Sequence, residues 1–344
     1  MLPTLTDIAS AAGVSAATVD RVMNAREGVR APTRAHVLAV AQRLGHPGLT
    51  GSQASGAEPR QAALPVRIAM LLPQGTNAFI HELAEQVRQQ IPRMQGVSVT
   101  VETLAGFDPA ILSARLAALQ GTVDGVALVA IDHPVVREAL AGLIRSGTHV
   151  VTLVSDIHNV PRLAYIGIDN AQAGRLAGYV LGRFLGKGQS AKVALFAGSL
   201  AYRGHQEREM GFRQILAEEF PTFTLAALRE VHEDRDKAYA ETLALLDRQP
   251  DLAAIYNAGG ATSGIARALK DRGRNTDIVF VAHEALEANK ALLLDGTLDA
   301  VIDQNPRVEV RETLQALIQA TRGIPCTAIP PRLQIVFREN LPMV

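Results

Sequence analysis

Apolar and polar positions change rhythm twice along this chain. Near the start, Leu5, Ile8, Ala9 and Ala12 recur at i, i+3, i+4 and i+7, which predicts a short helix with one apolar face. Gly13 suits a left-handed turn that ends it, and Ser15 suits the N-cap of a second helix. In that second helix Val19, Val22 and Met23 point one way, while Ala16, Ala17, Asp20, Arg21 and Asn24 point elsewhere. A third helix starts near Pro32, a residue tolerated in a first turn, and is expected to bury Val37, Leu38, Ala41 and Leu44. Residues 49–65 are rich in Gly, Ser, Pro and Ala and read as a linker.

From residue 66 to 344 the texture changes again. Apolar runs cover 66–73, 97–104, 124–131, 149–155, 191–198, 252–260, 277–284 and 298–304. Helix-length segments separate most of them, at 77–91, 109–120, 134–146, 169–186, 203–219, 235–248, 261–272 and 306–322. Nearly continuous apolar strands imply burial on both faces, and strand, crossover helix, strand in repetition implies a doubly wound parallel sheet. The segment is long for one such sheet, so two α/β lobes are expected, with a break near "AYIGIDN" at 164–170.

Composition narrows the functional classes. With 34 Lys plus Arg against 34 Asp plus Glu, the net charge is zero, so any nucleic-acid surface must be local. Cys326 is the single cysteine, which excludes an internal disulfide and a multi-cysteine zinc site and fits a reducing compartment. No secretory signal and no transmembrane run are read, and the histidines have no metal spacing, so a cytoplasmic protein without membrane, metal or cofactor is expected.

Two short helices joined by a tight glycine turn, with a third as support, make a helix-turn-helix whose second helix enters the major groove. Residues 1–48 carry five Arg against Asp7, Asp20 and Glu27. Ala16 and Ala17 let the backbone approach the bases, and Arg21 can reach guanine O6 and N7 with its planar fork. Thr4, Ser15, Asn24 and Thr33 are candidates for phosphate contacts, which position without specifying. One copy would bind weakly, so a homodimer is required. On spacing alone, a small helical cap on the α/β part is an equally good reading.

The stretch "TLTDIASAAGVSAATVDRVMN", followed by "VRAPTRAHVLAVAQRLGH", strongly resembles the DNA-binding headpiece of the LacI/GalR transcriptional regulators. The rest of the chain is similar to that family's effector domain. The resemblance implies an all-α headpiece at 1–48 and, over 66–344, two lobes of the periplasmic-binding-protein-like (type I) α/β fold that bind effector and dimerise. It also implies a ligand-responsive repressor that binds a near-palindromic operator as a dimer, with Thr18 among the DNA-facing residues. Two departures stand out: Asp20 replaces the usual Ser, where it orients Arg21 or reads a cytosine amino group, and Arg30 stands where Ser is common, losing a helix cap but gaining a phosphate-seeking charge. The stretch after His46 carries glycines at 48, 51 and 56, which disfavours a stable hinge helix there.

Ligands of two-lobed α/β proteins bind outside the carboxyl ends of strands. Just after the apolar runs lie Asn77, Phe79, Asp132, Ser155, Asp156, Arg203, His205, Asn257, His283, Glu284 and Gln304. Acids, amides, Arg and His beside an aromatic ring suit a sugar, polyol or cyclitol, because planar groups pair with vicinal hydroxyls. The resemblance adds that Glu284 and Gln304 fall near positions that commonly touch the sugar, and that Asp156 matches the usual aspartate. Each of these residues is as good a cap or turn former as a ligand. An enzyme acting on a sugar-like substrate is the alternative. "NAGGATSG" is no dinucleotide fingerprint and "AGSLAY" no nucleophile elbow, and neighbouring His283 and Glu284 point to opposite sides of a strand.

Overall fold

The structure is a computed structural model and describes residues 4–23, 29–44, 65–75, 77–106 and 108–341. Asn24 and nearly all of the linker lie outside the described residues. The chain divides into two units, Met1–Ala63 and Leu64–Val344.

The first unit holds α1 (Leu5–Ala12), α2 (Ala16–Met23) and α3 (Ala31–Arg43). Thr4 and Asp7 cap α1 reciprocally: Asp7 N donates to Thr4 Oγ1, and the Thr4 backbone N–H donates to the Asp7 carboxylate. Gly13 ends α1 at φ 64°, a left-handed conformation in which a Cβ is strained. Ser15 opens α2 by accepting from Thr18 N at 3.2 Å. Ile8, Ala9, Ala12, Val19, Val22, Val37, Val40 and Ala41 form the core of the three helices. The expected set for α3 needs one correction: Leu44 is exposed, because it lies past the end of the helix, and Val40 holds the buried position one turn earlier.

The second unit contains two sheets. The first has the order β2-β1-β3-β4-β5, from β1 (Val66–Gln74), β2 (Val97–Ala105), β3 (Gly125–Leu128), β4 (His149–Leu153) and β5 (Ala164–Ile166). All its pairings are parallel, with Val66 opposite Val97 and Ile68 opposite Gly125. The helices α4 (Ala78–Gln90), α5 (Pro109–Ala118) and α6 (Pro134–Arg145) cross over between its strands. The second sheet has the order β11-β10-β9-β8-β6-β7. Its strands are β6 (Ala191–Ala197), β7 (Phe223–Glu230), β8 (Leu252–Asn257), β9 (Val279–His283), β10 (Ala300–Asp303) and β11 (Gln334–Val336), linked by α8 (Arg203–Glu219), α9 (Arg235–Arg248), α10 (Thr262–Asp271) and α11 (Glu287–Leu294).

The break expected at 164–170 falls where the chain leaves β5 and enters α7 (Asn170–Leu185) of the second lobe. The division is more entangled than the sequence suggested. After β10 the chain returns to the first lobe, where α12 (Pro306–Thr321) adds Val310, Leu314 and Leu317 to the core formed by Ile68, Met70 and Val126. It then crosses once more and adds β11 to the second sheet as an antiparallel edge, with Val301 opposite Val336. The strands β5, β7 and β11 were not anticipated.

Helices α7 and α8 pack at very short range. A Cβ on Gly174 would sit 1.9 Å from the carbonyl oxygen of Arg208, and one on Gly211 would sit 2.0 Å from that of Ala171. The glycines thus bring the two backbones together and set the position of Arg208, one turn into α8.

Candidate functional site

The carboxyl ends of both sheets open onto one cleft. From the first lobe, β1 leads to Asn77, which caps α4 by accepting from Phe79 N at 2.9 Å. Its amide then reaches across the cleft, donating to Glu233 Oε2 of the second lobe at 3.1 Å. A second bridge runs from Gly204 N to Ser155 Oγ at 3.3 Å. The cleft has two adjoining chambers that share Asn77, Ile80, Val154, His205 and Arg208 as walls. One is largely apolar, with Pro73, Val129 and Tyr202. The other, the more polar of the two, carries Thr262, His283, Glu284, Asn289 and Gln304 beside Phe79.

Four residues of the walls, Val154, Glu233, Ala261 and Glu284, have positive φ between 60° and 71° without being glycine. Such backbone is strained by roughly 1–3 kcal/mol each and persists only where the surroundings fix it, as at ligand sites. Two of these residues, Glu233 beyond β7 and Glu284 just after β9, bring carboxyl groups to the cleft walls.

Electrostatics in the walls are dominated by burial. Arg208 is 4% exposed, and its hydrogen-bond partners are neutral: Asn170 Oδ1 at 2.8 Å and the Ala258 carbonyl at 2.7 Å. Asn170 also donates to the Val154 carbonyl and the Tyr165 hydroxyl of the first lobe, so it ties Arg208 to the crossover. Burial pushes the Glu233 carboxyl up to about 7, against the opposing effects of the Gly260 N–H, Arg208 and Asn77. Burial and then the charge of Asp303 push Glu284 up to about 8. Its Oε1 accepts from Gln304 Nε2 at 2.5 Å. Burial and then Arg208 push His205 down to about 4 and hold His283 well below its usual value, so both rings are neutral at pH 7. His283 Nε2 is 2.8 Å from the Tyr256 hydroxyl.

Of the residues expected to meet a ligand, the structure brings Asn77, Phe79, Ser155, His205, His283, Glu284 and Gln304 to the cleft walls. Four others are elsewhere. Asp132 is engaged by Arg137 and, at 2.7 Å, by His158. Asp156 pairs with Arg162 and accepts from Thr152 Oγ1, and Arg203 pairs with Glu207; both Asp156 and Arg203 line a separate groove beside the crossover. Asn257 lies behind the wall and shapes it, donating to the Gly260 carbonyl and to Thr262 Oγ1. Sequence reasoning missed Arg208 and Glu233. Arg208 sits inside a helix rather than at a strand end, and Glu233 follows a strand that was not recognised.

In the helical unit, Ala16, Ala17 and Arg21 are exposed on α2 and Asp20 is half-buried. The Thr4 hydroxyl is committed to Asp7, and the Ser15 and Thr18 hydroxyls lie 2.9 Å apart. Arg30 is exposed ahead of α3 and Thr33 is half-buried in its first turn. Among the described residues no cluster of His, Cys, Asp or Glu is arranged to hold a metal ion, and no helix is long and apolar enough to cross a membrane.

Residues 4–47 match the bacterial regulatory proteins of the lacI family, and residues 68–325 match the periplasmic binding protein domain. The chain belongs to the periplasmic binding protein domain family and carries a LacI-family helix-turn-helix domain. It is a DNA-binding transcriptional regulator that joins a LacI-type helix-turn-helix unit to a periplasmic-binding-protein fold. It is 24% identical over 258 residues to the HTH-type transcriptional repressor PurR of Vibrio cholerae serotype O1 (strain M66-2), covering 74% of this chain and 73% of that protein. Among solved structures, it resembles GanP, a glucose-galactose binding protein from Geobacillus stearothermophilus, with a TM-score of 0.72 and 22% identity over 81% of this chain and 99% of that one. A solute-binding protein from Burkholderia graminis in complex with D-arabinose gives a TM-score of 0.74 and 21% identity over 81% and 97%.

Proposed function

We propose that this regulator acts in the cytoplasm as a homodimeric repressor, that α2 of each protomer reads one half of a near-palindromic operator, and that a small polyhydroxylated ligand in the interlobe cleft controls it. The protein works by binding and not by catalysis. The observation that carries the reading is a cleft of buried acids, amides and Arg208, held shut from both lobes by Asn77 and Glu233, on the same chain as the LacI-type headpiece. GanP, which binds glucose and galactose, and the Burkholderia graminis protein, which holds D-arabinose, support the ligand class. On α2, Arg21 reads a guanine edge while Ala16 and Ala17 allow close approach; Arg30 and Thr33 serve the phosphates. A ligand shifts operator affinity only through unequal affinity for the open and closed lobes.

Selection of duplexes from a random pool by the purified full chain tests this. An inverted repeat should be enriched, and its affinity should change when sugars or cyclitols are added. No preference for any duplex over random competitor, with or without small molecules, would overturn the proposal.

A further inference from the structure

The polar chamber has an imbalance that an ammonium answers more fully than a single hydroxyl does. Three buried side-chain atoms on residues lining it have no hydrogen-bond partner among the described residues: Glu284 Oε2, Gln304 Oε1 and His283 Nδ1. Gln304 Oε1 is an acceptor only, and Glu284 Oε2 becomes one when the carboxyl gives up its proton. Gln304 is 1% exposed, and its amide nitrogen is already spent on Glu284, which leaves its oxygen as the atom on offer. The third belongs to a neutral ring whose other nitrogen faces Tyr256.

Charge points the same way. Glu284 lines the polar chamber, Glu233 lines the adjoining one, and Glu309 is fully buried near enough to feel Glu284, with neither of its oxygens partnered among the described residues. Against these three carboxyl groups stands Arg208, the buried cation of the wall, with Arg235 exposed at the rim. A hydroxyl brings one donor and no charge. An ammonium brings three donors and the positive charge that lets a neighbouring buried carboxyl ionise.

We infer that the polar chamber selects a polyhydroxylated ring bearing a protonated amine, an aminosugar or aminocyclitol, whose ammonium is received by Glu284 and Gln304. This rests on the reading of the cleft as the effector site and makes its ligand class narrower. Carboxylates that are reluctant to ionise alone become good partners once a cation enters with them, and a water-excluding site strengthens the pair.

The test is calorimetric titration of the full chain, near pH 7.5, with matched pairs that differ at one group: D-glucose and 2-amino-2-deoxy-D-glucose, D-ribose and its 2-amino analogue, scyllo-inositol and its amino analogue, each with the N-acetylated amine as a third member. The expected result is at least one pair in which the amine binds tenfold or more tightly than the alcohol, with the N-acetyl form falling back. Glu284→Gln should erase that preference while the far-ultraviolet dichroism stays native; should that variant misfold, Gln304→Leu is read in its place. Alcohols binding as tightly as amines throughout, or a preference that survives both substitutions, would overturn the inference and leave the carbohydrate reading standing. Absence of binding by every member would overturn both.

Discussion

Replacing Glu284 with Gln should make the protein more stable as the pH rises, and by an amount the cleft geometry fixes. The folded carboxyl titrates at about 8, against an ordinary value of 4.5, because burial and then Asp303 oppose its charge, more than Arg208 and Gln304 favour it; Glu233 adds to the opposition, and neutral His283 and buried Glu309 lie nearby. Between those two values the native state holds a proton that the unfolded state has released. Unfolding free energy therefore falls with pH across that window, by up to about 1.4 kcal/mol per unit, and levels off above it. The ceiling for one such group is about 5 kcal/mol, and a gain of at least about 2 kcal/mol is expected for the Gln variant at pH 8.5 relative to pH 4.5. His205 and His283, whose pKa values are lowered, act in the opposite sense below pH 6.5, but they are common to both proteins and cancel in the difference. Urea unfolding of wild type and Glu284→Gln at half-unit steps from pH 4.5 to 8.5 gives the difference curve directly. A flat difference, or one that falls with pH, would refute the argument that burial governs this carboxyl.

Further outcomes follow from particular contacts. Gly174→Ala should lower stability by about 1–3 kcal/mol in thermal unfolding, because the new methyl meets the Arg208 carbonyl, and ligand affinity should fall with it. Asn77→Ser keeps an acceptor at the cap of α4 but loses the amide that spans the lobes. Its unfolding free energy should change by under about 1 kcal/mol, while small-angle scattering shows a more open effector domain. Asp132→Asn should leave ligand affinity within about twofold, since Arg137 and His158 already occupy that carboxylate away from the cleft; a tenfold loss would return it to the binding site. Arg21→Ala should relax base preference at one operator position in a binding-site selection, and unchanged preference would remove it as a reader.

Most of the framework was readable because its signals are strong and local. Interior strands such as β3, with every residue buried, stand out as apolar runs, and Gly13 and Ser15 punctuate the headpiece unmistakably. The strands that escaped are those with weak signals. β5 and β11 are three residues long, and β7 is an edge strand of mixed Phe, Thr, Ala and Leu directly after a helix. Losing β7 also lost Glu233, three residues beyond its end. The rule of looking past strand ends found Asn77, His205, Glu284 and Gln304. It could not tell them from Asp132 and Asp156, whose partners Arg137, His158 and Arg162 come into range only through folding. Arg208 was invisible to that rule, since a helix face and the glycines of the helix beside it, rather than a loop, present it.

The path of the chain between the sheets has a mechanical corollary. It passes from one to the other at residues 167–169, at 304–305 and again within 322–333, and the first and last passages border the same groove, where Gly167 and Asn170 face Pro331 and Leu333. Neither lobe is therefore encoded as a continuous fragment, and a truncation after α11 would strip the first lobe of a core helix and the second of its edge. Tethers set side by side resist torsion far better than flexing. The two halves can pinch like tweezers joined at a flat spring, and they are poorly able to swivel.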